Sequence, residues 1–341
     1  MKKLFTLIVC LVPALCWSQM KKISGIIIDS ESYNPIENAN IYISGSSRGT
    51  NSDPDGEFEL EVPEGIQEVF ITHVSYQTYI LTFTNATNYR IGLTHRVNQL
   101  SEVAIHEEVD KEWKRNLNKF EKSFLGNSIN AGKCKIINPW VIEFKEEKQN
   151  FLASATEPLE IENRALGFRL FFYLGHFSKQ GLTVSYSGKY RFEQLDSSDE
   201  KEKRRWDKNR EKVYLGSRRH FLYALANEEL STHGFVVHFA DLNAAGDQFY
   251  VTRLAMEEDL IVKENNQLYI DYKGYIRILY TKGLSDSGIQ SQTSYLFTPQ
   301  IASLFKNGLS TDDEIMQEFG LWSKSRIAEL LPVDYRPKKN F

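Results

Sequence analysis

The chain has 341 residues, 41% of them hydrophobic, which is enough for two buried cores and too apolar for a disordered polypeptide. Lys and Arg number 41 against 45 Asp and Glu, a formal charge of −4, so there is no bulk electrostatic grip on nucleic acid and none is expected as a partner. No constellation of residues fixes a reaction.

Residues 1–18 pair Lys2 and Lys3 with an apolar run from Leu4 to Trp17, broken only by Thr6 and Pro13 and ending in Ser18. This pattern predicts a secretory signal cut after Ser18. A membrane-spanning helix needs ~20 apolar residues, and this run is shorter, so no span is expected after cleavage. Export through the inner membrane is implied, to the periplasm or an outer-membrane-associated position. Cys16 follows Leu15 and Cys10 follows Val9, not the small residue that a lipid-attachment site wants. The mature chain then keeps Cys134 alone, which excludes an intramolecular disulfide. Its setting, Lys133-Cys134-Lys135-Ile136-Ile137, predicts a packed small hydrophobe and not a nucleophile.

From residue 19 to 105 short alternating strands are parted by turn residues, predicting a seven-stranded β-sandwich. Phe58, Leu60 and Val62 alternate with Glu57, Glu59 and Glu61, one face apolar and the other in water. Further strands are read at Ile23–Ile28, Ile41–Ile43, Val69–Val74, Tyr79–Phe83 and Tyr89–Leu93. Asp53-Pro54-Asp55-Gly56 has the carboxylate spacing of a calcium loop, but the twelfth position of that template is Val62 in place of a bidentate glutamate. A tight turn is expected there, with Pro54 presetting φ and Gly56 taking a conformation other residues avoid.

Ile23-Ser24-Gly25 through Asp29, Asn34-Pro35-Ile36-Glu37-Asn38-Ala39-Asn40-Ile41, Gly49-Thr50, Asp53 to Phe58 and Val62-Pro63-Glu64-Gly65 together resemble the carboxypeptidase-regulatory-like domain. That resemblance implies a transthyretin-like sandwich, of the kind that accompanies some zinc carboxypeptidases and opens many TonB-dependent transporters. Gln99 to Ile105 is similar to the stretch that comes after the domain in those transporters. The enzymatic partner is absent: zinc carboxypeptidase chemistry needs a His-x-x-Glu pair, and none of the seven histidines has Glu three places on. A barrel of some twenty strands, at ~10 residues each plus loops, exceeds residues 106–341. No cofactor and no metal is expected.

Residues 19–105 carry five basic and eleven acidic side chains, whereas 106–341 balances at 34 of each. This shift marks the boundary. A connector over 106–125 places Trp113, Leu117, Phe120 and Phe124 at helical spacing, predicting an amphipathic helix docked on the second module. Residues 126–341 read as a larger α+β module with a helical insertion from Ser197 to about Glu229. Strands are expected at Val141–Phe144, Phe151–Thr156, Leu159–Glu162, Leu166–Phe177 paired with Leu182–Phe192, Phe235–Phe239, Phe249–Leu254, Tyr275–Tyr280 and Ser294–Phe297. A hairpin is read around Asn265-Asn266, and a last helix from Thr311 to Phe319. The phrases Asn138-Pro139, Glu157-Pro158-Leu159, Glu162 to Gly167, Arg205-Trp206 to Tyr214 and Leu330 to Tyr335 resemble an uncharacterised module of secreted envelope proteins, which implies no activity.

Between Glu200 and His220 lie Lys201, Lys203, Arg204, Arg205, Lys208, Arg210, Lys212, Arg218 and Arg219. With Trp206, Val213 and Tyr214 on the inner face, the helix would turn a basic surface outward. Arg204, Arg205, Arg210, Arg218 and Arg219 are the candidate contacts for an anionic polymer or partner, since guanidinium binds oxyanions bidentately. The same run also reads as a solvated helix laced by pairs such as Glu200 with Arg204.

The aromatics Phe168, Phe171, Phe172, Tyr173, Phe177, Tyr186, Tyr190 and Phe192 are expected to build a core in preference to a sugar-stacking platform. His233 and His238 have poor spacing for joint metal capture. Gly283-Leu284-Ser285-Asp286-Ser287-Gly288 lacks the spacing of a nucleophile elbow. The expected function is therefore a non-catalytic envelope protein that binds an envelope protein, polysaccharide or glycan, with the sandwich as docking or spacer module. The alternative is a hydrolase of cell-wall or glycan substrate using carboxylates among Glu143, Glu157, Glu160 and Glu162.

Overall fold

The computed structural model describes residues 20–96, 107–282, 293–312 and 315–337. The signal segment, the stretch Gln99–Ile105 and the loop Gly283–Gly288 lie outside the described residues.

Seven strands build the N-terminal sandwich: β1 (Met20–Asp29), β2 (Asn40–Ile43), β3 (Gly49–Asn51), β4 (Glu57–Pro63), β5 (Glu68–Thr72), β6 (Tyr79–Thr82) and β7 (Asn88–Leu93). One sheet has the order β4-β1-β7, with β1 antiparallel to β4 and parallel to β7; the other runs β3-β2-β5-β6. Ile23, Ile27, Ile41, Ile43, Phe58, Leu60, Val62, Val69, Ile71 and Ile91 fill the space between them. At Asp53–Gly56 the Asp53 carboxylate accepts from the backbone N–H groups of Asp55 and Glu57, at 3.0 and 2.8 Å, and Gly56 sits at φ 75°. Those bonds close a turn, as the residue types require.

Helix α1 (Glu107–Phe124) comes next. It lies on a six-stranded sheet made of β8 (Cys134–Ile136), β9 (Ile142–Glu147), β10 (Asn150–Ala155), β11 (Leu159–Asn163), β12 (Phe168–Gln180) and β13 (Thr183–Gln194). Phe120 and Phe124 are fully buried against Phe172, Phe177 and Tyr186, and the Trp113 indole N–H donates to the Ile142 carbonyl. The long hairpin β12–β13 is the spine: β11 and β10 pair with successive halves of one edge of β12, and β13 covers the other edge. Phe168, Phe172, Phe177 and Phe192 are buried in this core.

The helical insertion comprises α2 (Glu200–Tyr214), α3 (Arg218–Ala226) and the single turn α4 (Leu230–His233). Beyond it, β14 (Phe235–Leu242), β15 (Phe249–Ala255), β18 (Gly274–Tyr280), β19 (Thr293–Thr298) and β21 (Gln317–Gly320) form a five-stranded sheet in the order β15-β14-β18-β19-β21. A small sheet joins β16 (Ile261–Glu264), β17 (Gln267–Ile270) and β20 (Ala302–Leu304). Asn265 and Asn266 both hold positive φ in the β16–β17 turn, as a two-residue hairpin demands. The second core gathers Phe221, Leu222 and Leu225 of α3 with Phe235, Ile278, Leu296 and Trp322. The module beyond residue 126 thus has two cores, with α2 and α3 between them.

The expected helix over Thr311–Phe319 is corrected. Residues 311–312 form a turn, and Gln317–Gly320 is strand β21, antiparallel to β19 with Phe319 opposite Tyr295. Ile315, Met316 and Phe319 carry helical spacing, but the open edge of β19 offers cross-strand hydrogen bonds and ring contacts that a surface helix would forgo.

The sandwich is tied to the second module along one face. Gly45 N–H donates to the Tyr190 carbonyl (2.6 Å), Phe192 N–H to the Ser46 carbonyl (2.9 Å) and Val333 N–H to the Gly45 carbonyl (2.8 Å). The β2–β3 turn is thereby inserted between β13 and the C-terminal strap 330–336. Beside it, Phe70 stacks on Tyr173 (4.6 Å, 19°), the Arg191 guanidinium lies between the rings of Tyr42 and Phe171, and Glu68 pairs with Lys189 at 2.6 Å.

Candidate functional site

Helix α2 starts at Asp199, whose carboxylate accepts from Lys201 N–H. Its inner face is Trp206, Arg210 and Tyr214, each one helical turn apart and buried. That face rests on the turn between β11 and β12 and satisfies its carbonyls. Trp206 Nε1 donates to Arg164 O (2.9 Å), Asn209 Nδ2 to Ala165 O (2.8 Å), and Arg210 to Leu166 O (2.6 Å) and Gly167 O (3.1 Å). The Arg210 guanidinium also lies over the Phe168 ring at 3.9 Å. The two sequence phrases Glu162–Gly167 and Arg205–Tyr214 therefore recognise each other.

This corrects the expected outward basic surface at two positions. Arg210 is buried and spent on that turn. Arg219 donates Nη1 to Pro332 O (2.5 Å) and Nη2 to Tyr335 O, clamping the strap. Arg218 pairs with Glu318 on β21 at 2.9 Å, Arg205 is exposed and paired with Glu202 at 3.1 Å, and Arg204 is exposed. The signal for Arg210 was present in the sequence: position 210 lies four residues from both Trp206 and Tyr214.

Where the two cores of the second module meet there is a cleft of about 640 Å³. One wall is α2, the α2–α3 turn and the start of α3, with Arg205, Lys212, Tyr214, Gly216, Arg218 and Arg219. The opposite wall is Glu318, Leu321, Trp322, Glu329 and the strap residues Leu331 and Val333; Lys133 and Tyr190 close the ends. Three of the five candidate arginines, Arg205, Arg218 and Arg219, are thus brought together, and Arg204 and Arg210 are not among its lining. Basic side chains outnumber acidic ones. Helix α3 opens toward this space, its N-cap Ser217 accepting from His220 N–H.

Burial pushes the Glu329 carboxyl up, although Ser128 Oγ and Arg326 N–H donate to it. Trp322 Nε1 donates to Gly216 O at 2.8 Å, which fixes one wall against the other. Sequence reasoning missed Lys133, Glu318 and Trp322, because each comes from a segment remote from the basic helix; Tyr190, assigned there to the core, packs against that core and also lines the cleft.

Behind the α2–α3 turn lies a buried relay that residue spacing did not reveal. Gly216 N–H donates to His220 Nδ1 (3.0 Å), so the neutral ring carries its proton on Nε2 and donates to His233 Nδ1 (2.9 Å). His233 Nε2 then donates to Glu229 at 3.2 Å. Burial, followed by the neighbouring His233, holds the His220 pKa down to about 3. His238, on β14, is apart from this chain and meets Arg277 at 3.5 Å.

Cys134 is half-buried, its Sγ donates to Asn130 O, and burial pushes its thiol up to about 12, an unreactive setting. The carboxylates considered for hydrolysis lie away from the cleft. Glu162 is held by Arg164 (2.5 Å) and Arg169 (3.6 Å), and Glu157 by Arg96 (2.9 Å). Glu157 lines a separate cavity of about 440 Å³ with Lys189, and neither Glu143 nor Glu160 joins it there. Among the described residues no group of three or more His, Cys, Asp or Glu is placed to hold a metal ion. Among them, too, no helix is long and apolar enough to cross a membrane.

Residues 23–105 match the CarboxypepD_reg-like domain family, so the chain carries that domain at its N-terminus. In addition, 105 residues are 27% identical to TonB-dependent receptor P3 of Formosa agariphila, covering 31% of this chain. The match takes in only 10% of that receptor's length. Among solved structures, a "putative carbohydrate binding protein" from Bacteroides uniformis aligns over 83% of this chain and 98% of its own, at 8% identity and a TM-score of 0.18. A "putative membrane-associated protein of unknown function" from Bacteroides fragilis aligns over 84% of this chain and 90% of its own, again at 8% identity and a TM-score of 0.18. Scores this low do not establish a shared fold.

Proposed function

We propose that the chain is a non-catalytic, exported cell-envelope protein that grips a segment of an anionic envelope polysaccharide in the cleft between its two larger cores. The sandwich serves as the docking module and braces the strap that forms one cleft wall. The observation that carries this reading is the cleft itself, concave and lined by Lys133, Arg205, Lys212, Arg218 and Arg219 against Glu318 and Glu329, with Tyr190, Tyr214 and Trp322 beside them. Concavity favours a polymer segment over a flat protein face, and a cation-rich lining beside the half-buried Tyr190 ring suits sugars bearing negative charge. The 105-residue match to a TonB-dependent receptor supports an envelope setting. The pairing of Glu157 and Glu162 with arginines supports binding over hydrolysis.

The test is retention of the mature chain on immobilised acidic polysaccharide over a salt series, because exposed charge contacts are screened by added ions. Retention at low salt that falls at high salt, and falls further in Lys212→Glu, is the expected result. Retention indifferent to both salt and Lys212→Glu would sink the proposal, as would release of reducing sugar ends during incubation.

A further inference from the structure

A guanidinium taken out of water is stable only where something neutralises or solvates it. In the cleft wall Arg219 is such a group, with the charge of Arg336 near it, and the hydrogen bonds of both run to carbonyls. Arg219 gives its two Nη groups to the carbonyls of Pro332 and Tyr335. Arg336 donates to the carbonyls of Val333, Tyr335 and Asn307. All these acceptors are neutral main-chain oxygens.

The Nε of Arg219 is buried and has no hydrogen-bond partner among the described residues. The acids nearby are otherwise engaged: Asp334 accepts from Ser46 Oγ at 2.6 Å and Ser47 N–H at 3.3 Å, Glu318 pairs with Arg218, and Glu329 accepts from Ser128. Burial, then the like charge of Arg336, draws the Arg219 pKa down to about 10, outweighing the upward pull of Tyr214, Tyr190 and Asp334.

We propose that the Arg219 end of the cleft is an oxyanion subsite that takes the carboxylate of a uronic acid residue in the bound chain. This assignment rests on the reading of the cleft as a polysaccharide site and names the sugar class. The unpaired Nε–H is one arm of a planar donor fork, and a flat carboxylate matches such a fork with two oxygens. An anion there would neutralise Arg219 and Arg336 together and hold the strap closed over the sugar.

The probes are a galacturonic acid trimer, the neutral galactose trimer, and inorganic phosphate and sulfate, titrated into the full mature chain. The direct readout is the ¹⁵Nε resonance of Arg219 in wild-type protein, which does not depend on any variant folding. The expected result is a saturable shift of that resonance with the uronate trimer and none with the neutral trimer. Arg219→Gln then weakens uronate binding at least about tenfold, the loss of one charged hydrogen bond, while Lys263→Gln on β16 leaves it unchanged. Arg219→Lys, which keeps the charge without the fork, recovers only part of the affinity.

Uronate binding that leaves the Arg219 resonance still overturns the subsite while leaving the cleft reading intact. A shift produced by phosphate or sulfate but not by uronate overturns the carboxylate assignment in favour of an ester oxyanion. Failure of every acidic polymer to be retained by the chain overturns both readings.

Discussion

Phe70 tests whether the sandwich is locked to the rest of the chain. Its neighbours Val69 and Ile71 point into the sandwich core, so the ring of Phe70 faces the other way, yet it is fully buried. The second module buries it, through the stack on Tyr173. Replacing it with Ala removes a large side chain from a packed site, a change that costs about 3–5 kcal/mol. The part of that cost due to ring stacking is about 0.5–1.5 kcal/mol and is contained in the total. Because the loss falls on the interface and not on the sandwich core, it uncouples two folding units. Taking about 3 kcal/mol, and at least about 4 °C per kcal/mol for a domain of sandwich size, the sandwich's transition should drop by roughly 12 °C or more. Differential scanning calorimetry of Phe70→Ala is expected to resolve an early transition that wild type lacks. A single transition, moved by less than about 2 °C, would show that Phe70 is not held between the modules as described.

Four further outcomes rest on particular residues. Gly167→Ala places a Cβ 2.2 Å from Trp206 Cδ2 at a residue with φ 69°, so the denaturant midpoint should fall by the equivalent of about 2 kcal/mol or more, and an unchanged midpoint contradicts the packing of α2 on this turn. Cys134 should stay unmodified by a thiol reagent at pH 8 in the native protein and react on unfolding; rapid native labelling would contradict its burial. His220, with its pKa lowered to about 3, stays neutral in the folded state, so its contribution to stability is complete above the unfolded value near 6.5 and is lost as pH falls toward 3. Its ring nitrogens should show the Nε2–H tautomer and no titration between pH 5 and 8 by ¹⁵N NMR. Asp29, whose carboxylate accepts from the backbone of Ser32 and Glu31, has a pKa lowered well below the usual carboxylate range. Its stabilisation is present above the unfolded value near 3.9 and fades as pH falls below it, so Asp29→Asn should flatten the acid limb of the stability curve.

The sequence by itself determined the elements whose residues interact locally or repeat at a fixed period. Alternation at Phe58–Val62, paired asparagines at 265–266, Asp53–Gly56 and the Trp113–Phe124 spacing each specify a strand, turn or helix, because period and turn chemistry act over a few residues. The run Val69-Phe70-Ile71 even carried an unread sign of the interface, since a strand apolar on both faces is covered on both. Arg210, in register with Trp206 and Tyr214, carried the sign of its own burial.

Tertiary structure alone decided where separate segments converge. It made β21 a strand because the edge of β19 was open, and it put Arg218 against Glu318. It also set Arg219 beneath the strap 330–336, assembled the cleft from pieces near residues 133, 190, 214 and 322, and chained His220 to His233 and Glu229. Periodicity tells which side of an element is apolar, not which distant element will cover it; that choice belongs to packing and charge compensation in three dimensions.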